Sequence, residues 1–587
     1  MEVRNNGFDQ GPIPSFRRGL FAAGDTVTRI GDGSLGGKAS GLILARRIIG
    51  GLDRGDSLKI ELDIPTMTVV ATSMFDAFIE RNQLAGTAAS DLPDERIAHA
   101  FQQGDLPVEM LGDMKALMDE THAPLAVRSS SLLEDALYQP FAGVYKTKML
   151  PNNQPDPDER FRKLVEAIKF VYASTFFAAA KSYVGATDRT IQDEKMAVII
   201  QEVVGRRRGD LFYPEISGVA RSYNFYPSGR ARQEDGVVNL ALGLGKTIVE
   251  GGLSWTYSPA LPKAPPPYGS PRELLRNTQV KFWAVNIGKP PEYDPIAETE
   301  YLVEATLVDA AAGDALRHVV STYDPSSDTL HPGTGPKGPW VVDFSPVLVL
   351  GLLPLNESLR GLLAKSEEVL GGAVEIEFAM TLEDGPTPQG RLGFLQVRPM
   401  VVPSETVEIT DDELRDSSVI VASFRAMGNG VDDSLLDLVY VKPEAFDASS
   451  TRAIARQLDN LNKALIAENR PYVLIGFGRW GSSDPSLGIP VQWGQISGAR
   501  VIVEATLPQM NVEASQGAHF FHNLSSFQVS YLTVGHQASP RISWDWLNSQ
   551  ETVVETDHVR QVRAARPVLV KVDGRSGRGG IWTGARD

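Results

Sequence analysis

Apolar positions change period along this chain, and the changes divide it into segments. After Gly36-Gly-Lys-Ala-Ser-Gly41, the residues Leu42, Leu44, Ala45, Ile48 and Ile49 recur at helical spacing, predicting a helix that opens on glycines. Leu164, Ile168, Val171, Tyr172 and Phe176 share one face and predict a helix from Phe161 to Tyr183. Short apolar runs at Leu125 to Val127, at Thr68 to Val70 after Ile64-Pro65, and at Met196 to Val204 predict strands, and Gly218-Val-Ala220 begins another. From Leu253 to about Gly338 the pattern degrades, with Ala264-Pro-Pro-Pro-Tyr-Gly-Ser-Pro271 as a proline-rich loop and turn residues from Tyr323 onward. Regular pattern returns with a strand at Val419 to Phe424, an amphipathic helix from Ala453 to Glu468, and strands at Tyr472 to Ile475 and Arg500 to Ala505. The expected class is therefore α/β (α+β).

Composition narrows the function. A chain of 587 residues, 42% hydrophobic, is long enough for several cored domains. Its formal net charge of −16 argues against a nucleic-acid partner or an anionic membrane surface. The tightest basic run, Arg206-Arg-Arg208, reads as a solvated loop. With no cysteine, disulfides, thiolate catalysis and cysteine-ligated metals are excluded. No signal-peptide pattern and no apolar run of about 18 residues is present, so a soluble, cytoplasmic protein without a membrane partner is expected.

Candidate chemistry concentrates in a few segments. In Leu125-Ala-Val-Arg-Ser-Ser-Ser-Leu-Leu-Glu-Asp135 an arginine ends a short strand before three hydroxyl residues. A guanidinium presents paired planar donors that fit phosphate oxygens, and Ser129 and Ser130 add neutral donors beside Arg128. Lys38, among glycines at a helix start, can meet an anion where free backbone N–H groups converge. In Val374-Glu-Ile-Glu-Phe378 and Leu395-Gln-Val-Arg-Pro399, strand alternation puts Glu375 with Glu377, and Gln396 with Arg398. A carboxylate, an amide and a guanidinium on one pocket can hold a metal–triphosphate, with the carboxylate offering a hard oxygen to Mg²⁺.

These segments resemble the ATP-grasp-type nucleotide-binding domain of the pyruvate phosphate dikinase and phosphoenolpyruvate synthase family. The carriers are Gly36-Gly-Lys38, Ala126-Val-Arg-Ser-Ser130, Glu134-Asp135, Phe141-Ala-Gly143, Gly243-Leu-Gly-Lys-Thr-Ile-Val-Glu-Gly251, Glu375-Ile-Glu-Phe378 and Leu395-Gln-Val-Arg398, in the family's order. The resemblance implies ATP and Mg²⁺ as cofactors, with Lys38, Arg128, Ser129, Ser130, Gln201, Gly243, Gly245, Glu377, Gln396 and Arg398 at the nucleotide. It implies that Glu377 and Gln396 support the metal, and that Arg128 and Arg398 act on the phosphoryl group in transit. Lys246 stands where relatives usually carry glutamate, and Glu375 where aspartate is usual. The implied organisation is a lead-in over 1–25, a nucleotide-binding region over 26–252, an insertion over 253–338, the closing strands over 339–404, a linker over 405–416 and a separate α/β domain over 417–587. The family's phosphohistidine context, Gly-Gly with a nearby Ser/Thr-His, does not follow Val402, and an enolpyruvate barrel of about 250 residues has no counterpart there. A complete phosphoenolpyruvate synthase is therefore not expected.

The C-terminal part carries two motifs. Gly476-Phe-Gly-Arg-Trp-Gly-Ser-Ser-Asp484 follows a strand, and its glycines permit close backbone approach. It reads either as an acceptor loop through Arg479, Ser482 and Asp484, or as a tight turn with Trp480 in the core. In Ser515-Gln-Gly-Ala-His-Phe-Phe-His-Asn523, His519 and His522 share a face if the segment is helical, fitting a two-histidine metal site or a phosphohistidine pair, while the flanking aromatics favour a buried, structural histidine for at least one of them. Together the two motifs resemble the tail of uncharacterised dikinase-like bacterial proteins. The leading expectation is an ATP-dependent phosphotransferase with an unidentified small-molecule or protein acceptor. The alternatives are a split dikinase served by a separate phosphohistidine-carrying protein, and a non-catalytic nucleotide-sensing module.

Overall fold

Strand Met196–Glu202 sits at the centre of the N-terminal lobe and is apolar on both sides, so both of its faces must be covered. In the computed structural model, Met196, Val198 and Ile200 enter one core while Ala197 and Ile199 enter another. The structure describes residues 13–19, 26–52, 59–131, 144–185, 191, 194–225, 227, 230–250, 252–264, 270–276, 278–311, 314–335, 338–383, 389–400, 402, 407–482, 484–508, 529–536 and 542–584. The strand lies third in a five-stranded sheet ordered Val27–Ile30, Met67–Val70, Met196–Glu202, Leu125–Ser131, Thr147–Leu150. Helices Asp94–Gln103, Val108–Glu120 and Pro157–Ser174 contribute to the core on one face, and Gly36–Gly50 to the core on the other.

Two expectations change here. The strand predicted to end at Val127 continues through Ser131, because Ser129, Ser130 and Ser131 are buried and pair in register with Val198, Ala197 and Met196. The helix expected from Phe161 to Tyr183 is two helices, Pro157–Ser174 and Ala178–Gly185. The break lets Phe176 and Phe177 both turn inward, Phe176 against Phe75 and Phe101.

The second lobe is a six-stranded sheet ordered Trp255–Tyr257, Val237–Ala241, Ile216–Arg221, Val374–Leu382, Gly390–Pro399, Ile60–Asp63. Its last strand comes from the N-terminal part of the chain and runs parallel to Gly390–Pro399. The stretch 253–338 is woven into this lobe. Trp255–Tyr257 forms the sheet's edge, and Lys281–Asn286 and Leu302–Thr306 join Arg206–Arg208 and Leu211–Tyr213 in a four-stranded sheet. The basic run read as a solvated loop is thus a strand, with Arg208 on Glu215 at 2.7 Å and Arg206 on the Leu382 carbonyl.

The C-terminal region is a third sheet, ordered Val419–Ser423, Arg578–Trp582, Val559–Asp573, Asn429–Val441, Tyr472–Phe477, Ala499–Ala505, Ser530–Val534, Ala426–Met427. Asn429–Val441, Tyr472–Phe477, Ala499–Ala505 and Ser530–Val534 are successive parallel neighbours, and helix Thr451–Ala467 makes the first crossover. The chain from Val419 to Met427 supplies a strand at each end of that order, so the sheet curls back on itself. The linker is held to it: Glu413 pairs with Lys571 at 3.1 Å and Asp411 with Arg578 at 2.9 Å. The architecture is α/β throughout, a two-lobed ATP-grasp-like region followed by a separate α/β unit, as expected. No helix among the described residues is long and apolar enough to cross a membrane.

Candidate nucleotide cleft

The helix Gly36–Gly50 starts directly against strand Leu125–Ser131. Gly36 has φ +77°, and a Cβ there would lie 1.9 Å from the Ser130 carbonyl oxygen, so only glycine permits the approach. Ser130 Oγ accepts from the Ala39 N–H at 3.0 Å and donates to the Leu35 carbonyl at 2.7 Å. Lys38 Nζ donates to Ser129 Oγ at 3.3 Å. These two buried serines therefore brace the lysine and its loop, while Lys38 itself lines the cavity between the lobes.

Arg128 joins the lobes. Its guanidinium donates to Gln201 Oε1 at 3.1 Å on the first sheet, and to the Leu395 carbonyl at 2.8 Å and Gln396 Oε1 at 3.1 Å on the second. Glu377 Oε2 stands 3.9 Å away. Arg128, Gln201, Glu377 and Gln396 all line the cavity. Beside them, Gln201 Nε2 is buried without a partner among the described residues, an orphaned donor at a polar surface. The sheet register places Glu375 opposite Arg398 and Glu377 opposite Gln396, with an irregularity between Glu377 and Phe378. Arg398 is buried, bonded through Nε to Glu375 Oε1 at 2.6 Å, and Glu375 also takes Arg221 at 2.5 Å. Arg398 thus lies one step along the strand from the cavity wall.

The cavity holds about 500 Å³, within the range of ligand pockets, which run from about 300 to 1,000 Å³. Register orders its lining along strand Leu125–Ser131. Met149 lies opposite Ala126 and the Val203 N–H reaches the Pro124 carbonyl, so this end is apolar, with Leu244 and Leu302 packed near it. Lys38 on Ser129 marks the opposite, cationic end. One end suits a flat base and the other a phosphate chain. Burial pushes the Glu202 carboxyl above its ordinary range, against the opposing hydrogen bond from Thr66. Lys146 is paired with Glu298 at 3.1 Å. Lys246, the residue that reverses the family's charge, is paired with Glu250 at 2.5 Å and lies over the Trp283 ring, so its charge is met locally. Gly245 lines the cavity; Gly243, with φ +83°, sits behind it and its carbonyl accepts from Ser217 Oγ at 2.6 Å.

A metal–nucleotide fits this donor set. Among the described residues no group of three or more His, Asp or Glu side chains forms a metal cage. Mg²⁺ commonly binds through one or two protein oxygens together with substrate phosphates, and Glu377 and Gln396 offer those oxygens on the same wall as Arg128.

The C-terminal sheet closes one side of the cavity through Gly481, Ser482 and 490–494. Both readings of the 476–484 loop hold in part. Trp480 is buried, and a Cβ on Gly476 would lie 2.4 Å from its ring; Ser482 reaches the cavity wall. Arg479 is buried, and its guanidinium reaches across to the Gly252 carbonyl at 3.5 Å. Asp484 is exposed, caps its own turn by accepting from the Ser486 N–H at 2.8 Å, and is not on the wall. His519 and His522, like Glu134, Asp135 and Phe141 to Gly143, lie outside the described residues. Sequence reasoning did not reach the wall at 490–494 or the Lys146–Glu298 pair. No local pattern distinguishes either from ordinary loop.

A family profile described as pyruvate phosphate dikinase, AMP/ATP-binding domain, matches residues 32–417. Among curated proteins, the chain is similar to one described as an uncharacterized phosphotransferase, YvkC, of Bacillus subtilis (strain 168), with 26% identity over 199 residues, 33% of this chain and 21% of that one. It is also similar to a phosphoenolpyruvate synthase of Aeropyrum pernix, with 26% identity over 242 residues, 38% of this chain and 26% of that one. The matches thus span about a fifth to a quarter of those relatives' length.

Proposed function

The chain belongs to the family of the pyruvate phosphate dikinase AMP/ATP-binding domain, and on that footing we propose that it binds Mg-ATP between its lobes and transfers phosphate from it to an acceptor. The observation that carries the reading is Arg128, whose fork ties both lobes together at a cavity where the Gln201 amide keeps a donor unpartnered among the described residues. Lys38 and Arg128 face the phosphates; Glu377 and Gln396 would hold Mg²⁺, which would supply neutralisation of phosphate charge when bound. Arg398 is a positioning residue here, fixing Glu375 and the strand that presents Glu377. The names of the two relatives, a phosphotransferase and a phosphoenolpyruvate synthase, support group transfer rather than binding alone.

The test is incubation of the purified protein with Mg²⁺ and ATP labelled separately at the β and γ positions, with and without cell extract as a source of acceptor. We expect Mg²⁺-dependent formation of ADP or AMP that Lys38→Met abolishes. Acid-labile, base-stable label on the protein that disappears in His519→Ala would assign the histidine relay. Its absence alongside turnover would assign direct transfer. Bound but intact ATP in both conditions would overturn the phosphotransferase reading in favour of a nucleotide sensor.

A further inference from the structure

The nucleotide cleft of a two-lobed domain needs only two walls, yet this one has three. The third comes from a sheet that begins after the matched family region: Gly481 and Ser482 on one loop, and Val491, Gln492, Trp493 and Gly494 on the next segment, line the same cavity as Lys38 and Arg128. Both loops are built into the C-terminal sheet. The first leaves strand Tyr472–Phe477 at its carboxyl end, the edge at which open parallel sheets commonly present ligand-binding loops. It is stiffened where Arg479–Trp480 pairs with Gly488–Ile489 and where Trp480 packs onto Gly476. The second is fixed by the reciprocal bonds of Gln492 and Gln495, and by the Asn462 amide donating to the Gly494 carbonyl at 3.0 Å.

The wall is also joined to the nucleotide region at separate points. Arg479 approaches the carbonyl of Gly252, just beyond the glycine loop. At another contact, Gln233 Nε2 donates to the Gly574 carbonyl at 2.6 Å. Helix Ala178–Gly185 of the first lobe meets the turn Trp493–Gln495, and Ala179 lies on the cavity wall beside it. The C-terminal sheet therefore touches both lobes across the cleft they form. All seven wall residues, Pro490 included, are uncharged, so they add hydrogen-bonding groups and apolar surface without disturbing the Lys146–Glu298 and Lys246–Glu250 pairs.

We infer that the C-terminal domain is a resident part of the nucleotide site, so that bound Mg-ATP lies against the wall formed by 481–482 and 490–494 and covers Gln492. This rests on the ATP-binding reading above and extends it: the site is completed in cis by a third body, with Gln492 and Ser482 as ligand-facing residues that the family profile does not contain.

The chain has no cysteine, so one introduced thiol reports on one position. Gln492 is exposed and lines the cavity, whereas Ser486 is exposed on the nearby turn and lies off the wall. The full chain carrying Gln492→Cys, and separately Ser486→Cys, is treated with N-ethylmaleimide with and without Mg-ATP, after equilibrium dialysis has measured ATP binding to each. At about ten times Kd only about a tenth of sites are free, so the Gln492→Cys thiol should react about tenfold more slowly, and the Ser486→Cys thiol at an unchanged rate. Equal rates at Gln492→Cys with and without bound ATP would overturn the inference while leaving ATP binding intact. Slowing at both positions would overturn it too, since the protection would then be global. Absence of binding in the Ser486→Cys protein would instead overturn the reading on which it rests, whereas loss confined to Gln492→Cys would itself put that residue at the ligand.

Discussion

Arg128 shows why residue type matters more than charge at this site. Three acceptors, Gln201 Oε1, the Leu395 carbonyl and Gln396 Oε1, converge on one planar group, and a lysine ammonium cannot satisfy them in that geometry. Arg128→Lys keeps the charge and leaves buried acceptors unpaired, at a cost of about 1–3 kcal/mol each where no water replaces the donor. We expect urea unfolding of that variant to shift by at least one such increment, and Mg-ATP affinity to fall about tenfold or more. Wild-type affinity in Arg128→Lys would mean that charge alone serves the phosphates. Which residues gather here was legible in the sequence, since the segments around Lys38, Arg128, Glu377 and Gln396 announce themselves by type and order. How Ser129 and Ser130 are used was not. Their hydroxyls face the lysine loop only because the strand runs on to Ser131, and that extension is set by pairing with Met196–Glu202, distant in sequence. For the same reason Arg398 looked like a cavity residue, since alternation fixes a shared face but not how far along that face the cavity reaches.

At the scale of elements, the junction of helix Gly36–Gly50 with strand Leu125–Ser131 is where backbone geometry sets chemistry. Gly36→Ala would force a left-handed φ of +77° on a residue with a Cβ, at about 1–2 kcal/mol, and drive that carbon into the Ser130 carbonyl. The helix start must then move, and Lys38 with it. The expected outcome is lower stability in denaturant together with lost ATP binding. Gly50→Ala, at the other end of the same helix with open space around its Cβ, should leave binding unchanged. A Gly36→Ala protein that binds ATP normally would show that the close approach is dispensable. Helix Thr451–Ala467, with one apolar face, was predicted within two residues of its observed ends because its period is local, whereas the face read from Phe161 to Tyr183 ran across the break between Ser174 and Ala178. The strands between 253 and 338 were not seen, being three to six residues long and dependent on partners such as Leu211–Tyr213. The long strands Asn429–Val441 and Val559–Asp573 were missed for a different reason. Register irregularities between Asp432 and Asp437, and Pro567 within the second strand, interrupt the alternation that would have marked them.

For the whole molecule, the arrangement of cores decides how the parts can behave. The central strand Met196–Glu202 sends Met196, Val198 and Ile200 into a cluster that continues without a break into the C-terminal sheet, through residues such as Val473, Leu474 and Ile502. Its other face sends Ala197 and Ile199 into the core of the second lobe. A domain that swivelled freely between stations would need a polar, easily parted interface, whereas this one shares apolar core with the lobe it touches. The nucleotide cleft and the C-terminal sheet should therefore lose structure together. Leu474→Ala, a fully buried truncation in the C-terminal sheet far along the chain from Lys38 and Arg128, removes about 2–5 kcal/mol of packing. If the two regions are one cooperative unit, the denaturant midpoint at which ATP binding is lost moves down together with the unfolding signal of the C-terminal tryptophans. If they are independent domains, the tryptophan signal shifts and the midpoint for ATP binding stays where it was. The shared cluster requires the first result, because unfolding the C-terminal sheet would strip apolar cover from that cluster and release helix Ala178–Gly185 from the turn Trp493–Gln495.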